Sequence, residues 1–140
     1  MTSIQGFIRE ALNLNSIELV DTVSSGPDCE CRIYQSETKR IFAKICTGKN
    51  VSIHFYSATI HNHCMFCFVF QSKELCHGEY TGLLALEKCN LLCVPEPITV
   101  INTGKSTILI TEYIHFSPLR LHHSKLGQLL AELATNNLCN

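Results

Sequence analysis

Apolar residues along the chain switch between two spacings, and each switch marks a new element. Ile4, Phe7, Ile8, Ala11 and Leu12 recur at helical steps, which predicts an amphipathic helix with Ser3 as its N-cap. Ile17 to Val23 is a β-rich run, ended by the turn cluster Ser24, Ser25, Gly26, Pro27 and Asp28. Arg32, Ile33 and Tyr34 restart extended structure, Gln35 to Lys39 reads as a turn, and Ile41 to Ile45 is an apolar strand carrying one lysine, Lys44. Ser72 opens a segment with Leu75, Glu79, Leu83, Leu86 and Glu87 that predicts a helix reaching about Cys89, with Pro95 and Pro97 blocking its continuation. Two β-rich runs, Ile98 to Ile101 and Thr107 to Thr111, flank Asn102 to Ser106 in the manner of a hairpin. Leu121, Leu126, Leu129, Leu130 and Leu133 then predict a last helix with one apolar face.

These elements fit one domain of 140 residues. Eleven Lys and Arg against twelve Asp and Glu leave no charge imbalance that would favour nucleic acid or an anionic membrane as partner. Hydrophobic residues make up 46% of the chain and charged residues 16%, an apolar excess concentrated in Val51 to Gln71, which has no Lys, Arg, Asp or Glu. Its most apolar run, Met65 to Phe70, is far short of the roughly 20 residues a bilayer span requires. Nine cysteines invite a disulfide reading, but Met1 to Gln5 lack a basic n-region followed by an apolar h-region. The expectation is a cytoplasmic protein with free thiols.

Several candidate motifs have plain structural readings. His61, His63, Cys64 and Cys67 supply zinc-type donors, yet they crowd into seven residues where zinc sites present two spaced pairs; an aggregation-prone segment of high β-propensity fits the composition better. Cys64 and Cys67 also have the spacing of a redox pair, without a helix N-terminus to activate a thiol. Thr103, Gly104, Lys105 and Ser106 match the end of a phosphate-binding loop, but Thr99 stands where that motif needs glycine and the flanks are strands, so a hairpin turn is favoured. Tyr34 and Tyr113 read as core or edge residues, and His122 and His123 as solvated.

Strand, glycine-containing turn, strand, lysine strand, glutamate helix, hairpin and helix is the element order of a protein-kinase-like N-lobe. Lys44 stands at the strand-lysine position and Glu79, after Gly78, at the helix-glutamate position. In that chemistry the ammonium binds the α- and β-phosphates and the carboxylate holds it in place.

Five segments in order carry a closer resemblance: Arg40 to Lys44 (RIFAK), Cys76 to Tyr80 (CHGEY), Val94 to Pro97 (VPEP), Ile110 to Ile114 (ITEYI) and Ser124 to Leu133 (SKLGQLLAEL). Together they resemble the fructosamine/ketosamine-3-kinase family over most of residues 4 to 134. The resemblance implies an α+β kinase-like N-lobe with a five-stranded sheet and a central helix. It also implies ATP-dependent phosphorylation of ketoamines, ribulosamines and fructosamines, on glycated protein lysines, with magnesium as cofactor. The site residues it implies are Lys44 and Glu79 for the phosphates, Gly26 in the glycine turn, and Glu112, Tyr113 and Ile114 as the hinge whose backbone holds the adenine edge. The partners implied are ATP and glycated protein, with neither nucleic acid nor membrane.

The chain departs from the family pattern at three places. In the turn from Ser25 to Cys31, Pro27 offers no N–H and Asp28 and Glu30 place negative charge where phosphates would lie. Residues 51–71 read as an insertion, since joining Asn50 to Ser72 restores the family's spacing between lysine and glutamate. The only aspartates are Asp21 and Asp28, both before the lysine strand, so the family's catalytic and magnesium-binding aspartates have no counterpart. Residues 1–134 are therefore expected to form the lobe and 135–140 a divergent tail, with no catalytic residue and no metal ligand present. An alternative transcript, or a gene model running into intron, would account for both insertion and tail. The expected roles are an inactive fragment of a ketosamine kinase or, alternatively, a binding or regulatory module that pairs with an intact kinase.

Overall fold

The computed structural model describes residues 3–24, 29–47, 72–115 and 123–136. Its elements are α1 (Ile4–Ala11), β1 (Ile17–Ser24), β2 (Cys29–Ser36), β3 (Arg40–Thr47), α2 (Ser72–Cys89), β4 (Pro97–Asn102), β5 (Ser106–Glu112) and α3 (His123–Asn136). The strands form one antiparallel sheet in the order β1-β2-β3-β5-β4. This is the expected α+β architecture, a small antiparallel sheet with a central helix, consistent with a kinase-like N-lobe.

Local chemistry sets the boundaries. Ser3 caps α1, its Oγ accepting the Gly6 N–H at 3.1 Å. Asn13, at φ 50°, supplies the left-handed turn that ends α1, and Asn90, at φ 52°, does the same after α2. The β2–β3 turn is held by Ser36, whose N–H and Oγ both donate to the Lys39 carbonyl. It occupies only residues 37–39, because Gln35 and Ser36 remain paired with β1. In the β4–β5 hairpin Gly104 takes φ 82°, Asn102 Oδ1 accepts its N–H at 2.9 Å, and Thr103 N–H donates to the Ser106 carbonyl. The segment that resembled a phosphate loop is thus a tight turn, whose positive φ explains its glycine.

The two faces of the sheet carry different cores. One gathers Ile8, Ile17, Tyr34, Ile41, Ala43, Ile45, Ile108 and Ile110, with Ile4 and Leu12 of α1 packed against them. α1 touches both edge strands, β1 and β4, so the sheet curls around it. The other face buries Cys46, Cys76 and Leu109 beneath α2, with Cys29, Tyr80 and Val100 alongside. Period-two alternation in β3 separates the two sets: Ile41, Ala43 and Ile45 point one way, while Lys44 and Cys46 share the α2 face.

The expectation of free thiols fails at one pair. Cys29 and Cys46 form a disulfide, because the β2–β3 register sets them directly opposite with Cα atoms 4.3 Å apart. Spacing in sequence could not reveal this, since the pairing depends on register. Cys31, Cys76, Cys89 and Cys93 are free. No helix among the described residues is long and apolar enough to cross a membrane. Residues 51–71, including His61, His63, Cys64 and Cys67, lie outside the described residues.

Candidate functional site

Lys44 lies near the middle of β3, flanked by β2 and β5, with Cys31 and Leu109 as its register partners. A central strand fixes the lysine backbone on both sides, so only its side chain has freedom. Glu79 lies on α2, three residues after Cys76, whose buried side chain anchors the helix on β5. Helical spacing then turns Glu79 toward the sheet. The result is an ion pair between residues 35 apart, Lys44 Nζ donating to Glu79 Oε2 at 2.5 Å. Both side chains stay accessible, 29% and 42% exposed, so the ammonium remains open to a ligand.

The residues expected to form a hinge begin at Glu112, the last residue of β5, and continue through Tyr113 and Ile114. Glu112 N–H donates to the Glu96 carbonyl at 2.9 Å and Tyr113 N–H to the Arg40 carbonyl at 3.4 Å, tying this segment to β3 and to the entry of β4. Thr111 Oγ1 donates to the Glu112 carbonyl. The Ile114 N–H has no such partner among the described residues, which leaves it as the donor this segment can offer. The face between Lys44 and Ile114 runs along β5 through Leu109 and Thr111, opposite Lys44 and Phe42 of β3. At about 3.3 Å per residue that path is roughly 16 Å long. Gly26 lies outside the described residues.

A second charged group sits on β2. Arg32 donates from both Nε and Nη2 to Glu30, at 2.9 Å each, and from Nη1 to Tyr34 Oη at 3.5 Å. Those hydrogen bonds, Glu30's foremost, raise the Arg32 pKa above its ordinary value. Glu30, expected to burden the phosphate turn with charge, is neutralised by this bidentate partner. Sequence reasoning overlooked that pairing, although residues two apart on a strand share a face.

Sequence reasoning also missed the sulfurs around Lys44. Cys46 follows Lys44 by two positions and Cys76 precedes Glu79 by three, spacings that put both sulfurs on the face of the ion pair. Burial pushes the Cys76 thiol above its ordinary pKa; Lys44 opposes that shift and Glu79 adds to it.

Among the described residues no group of three or more His, Cys, Asp or Glu is arranged to hold a metal ion. Asp21 is exposed on β1, two strands away from Lys44, and accepts the Thr22 N–H. Among the described residues, the Lys44 ammonium and the Ile114 N–H are thus the groups this face leaves open to a ligand, and no set of magnesium ligands accompanies them.

A curled five-stranded sheet with a lysine on its central strand, paired to a glutamate on the crossing helix, defines the small lobe of a kinase-like fold. The fructosamine kinase family model matches residues 56–137, and the chain belongs to that family. Ketosamine-3-kinase of Mus musculus is 32% identical over 68 residues, 48% of this chain. The chain spans 22% of that relative's length.

Proposed function

We propose that this chain is the nucleotide-binding lobe of a ketosamine kinase. In this reading, ATP is held with Lys44 on its α- and β-phosphates and Glu79 orienting the ammonium. Gly26 belongs to the turn over the phosphates, and Glu112, Tyr113 and Ile114 form the hinge. The Ile114 N–H donates to the adenine edge, since the N–H groups of Glu112 and Tyr113 are already used. Bound ATP would supply the phosphoryl group, and the acceptor would be a ribulosamine or fructosamine on a glycated protein lysine, the role of protein deglycation in the cytoplasm. Magnesium would be needed for that transfer and has no ligands among the described residues. With no aspartate after Asp28, these 140 residues hold a nucleotide without transferring its phosphate.

The observation that carries the reading is the Lys44–Glu79 pair, which joins on one accessible face the two positions that the sequence resemblance singles out. Backbone amide shifts during titration with ATP test it. Ile114 and residues beside Lys44 should move together, and shifts confined to other surfaces would contradict it.

A second reading, a regulatory module that pairs with an intact kinase, is favoured by α3. Its Leu126 and Leu130 are 44% and 49% exposed, an apolar face suited to a partner. Co-elution with a full-length kinase of the family would support it, and separate elution would remove it.

A further inference from the structure

Three sulfurs from three elements meet beside the Lys44–Glu79 pair. Cys29 of β2 and Cys46 of β3 are joined as a disulfide across the register. Cys46 and Cys76 are each 1% exposed and belong to one small cluster with Leu109, against which Cys29 also packs. Cys76 is a free thiol. Its Sγ donates to the Thr107 carbonyl at 3.8 Å, and Thr107 is the residue directly opposite Cys46 on the neighbouring strand. The thiol of α2 is thus held on β5, at the position directly beside the Cys46 end of the disulfide.

We propose that Cys29, Cys46 and Cys76 form a thiol–disulfide exchange set, in which Cys76 takes Cys46 from Cys29 and moves the cross-link from β2–β3 to β3–α2. The Cys76 thiolate attacks the Sγ of Cys46. A Cys46–Cys76 bond forms as the Cys29–Cys46 bond breaks, and the electron pair leaves on Cys29, which takes up the proton that Cys76 released. One thiol and one disulfide stand on each side, so no oxidant or reductant enters. Burial of Cys46 screens it from thiols in solution, and a neighbour already inside the cluster is its natural partner.

The two cross-links differ in what they constrain. The first joins strands that the ladder already pairs. The second ties α2 to β3 by residues that bracket the ion pair, Cys46 two positions after Lys44 and Cys76 three before Glu79. It therefore fixes the helix carboxylate relative to the strand ammonium. The exchange follows from the placement of the sulfurs alone; its effect on nucleotide affinity rests on the reading of Lys44 and Glu79 given above.

The test is disulfide mapping of the full oxidised chain, equilibrated at about pH 9, where thiols ionise, and then blocked with N-ethylmaleimide. Trypsin places the three cysteines in separate peptides, 10–32, 45–49 and 74–88. Both the Cys29–Cys46 and the Cys46–Cys76 linkages should be recovered. Recovery of the first alone, or of links to Cys89 and Cys93 in equal amount, would overturn the proposal. A Cys29→Ser variant treated with an oxidised dithiol should yield Cys46–Cys76 as its main linkage, and a Cys46 that stays alkylatable there would equally overturn it. ATP titration of the two cross-linked forms separates the claims: absence of nucleotide binding in both would remove the nucleotide reading and leave the exchange set standing.

Discussion

Lys44 on β3 and Glu79 on α2 form an ion pair across 35 residues of sequence, and neither is buried. An accessible pair of this kind contributes about 0–1 kcal/mol to stability. The fold holds it in place by other means: α2 is fixed by Cys76 and Tyr80 against Leu109 and Val100, and β3 by ladders on both sides. The pair is thus a product of the packing rather than its cause.

Glu79→Ala should therefore lower the unfolding free energy by no more than about 1 kcal/mol, measured by urea denaturation. A loss of several kcal/mol would make the pair a structural element and weaken its assignment to a ligand.

The apolar core should respond differently. Ile110 is fully buried at the centre of β5, and Ile110→Ala should cost about 2–5 kcal/mol. Leu126→Ala on the half-exposed face of α3 should stay within about 0.5 kcal/mol. Equal effects at the two positions would show that α3 packs more tightly than its exposure implies.

Cys76 makes stability depend on pH at the alkaline end. Its folded pKa is raised, chiefly by burial, so the folded state keeps the thiol proton to higher pH than the unfolded chain does. The unfolded state then binds fewer protons in that window, and stability falls as pH climbs above the ordinary thiol value of about 8.5. The contribution is intact below that value. Denaturation midpoints from neutral pH upward should decline in the native chain and decline less in Cys76→Ala; parallel curves would contradict this.

Much of the fold was legible because its strands and helices carry clean periodicities. The bounds of α2 match those expected from Ser72 and Cys89, and Ser3 caps α1 as its position before Ile4 predicts. Lys44 and Glu79 were legible as a pair through element order and family resemblance. The Cys29–Cys46 disulfide was not, because only the register of β2 on β3 brings those residues together. The hydrogen bonds that engage Glu112 and Tyr113 were hidden for the same reason: their acceptors, Glu96 and Arg40, come from distant segments.

Residues 51–71 invite a deletion. Joining Asn50 to Ser72 should raise soluble yield and the thermal midpoint, since this stretch gathers Phe55, Tyr56, Phe66, Phe68 and Phe70 without a single Lys, Arg, Asp or Glu. A lower midpoint would show that its aromatics belong to the core, where truncation costs roughly 3–5 kcal/mol each.

Phosphate transfer by these 140 residues alone should be undetectable on a ribulosamine or fructosamine acceptor, because no aspartate follows Asp28. Turnover that disappears in Lys44→Ala would overturn this.

The central claim is that Lys44 and Glu79 act as one nucleotide-binding unit, and calorimetric titration with ATP and magnesium tests it most directly. The native chain should bind weakly, Lys44→Ala should abolish binding, and Glu79→Ala should reduce it while leaving the fold intact by circular dichroism. Affinity unchanged in Glu79→Ala, with Lys44→Ala equally unaffected, would contradict the account and leave the pair as a solvated surface contact.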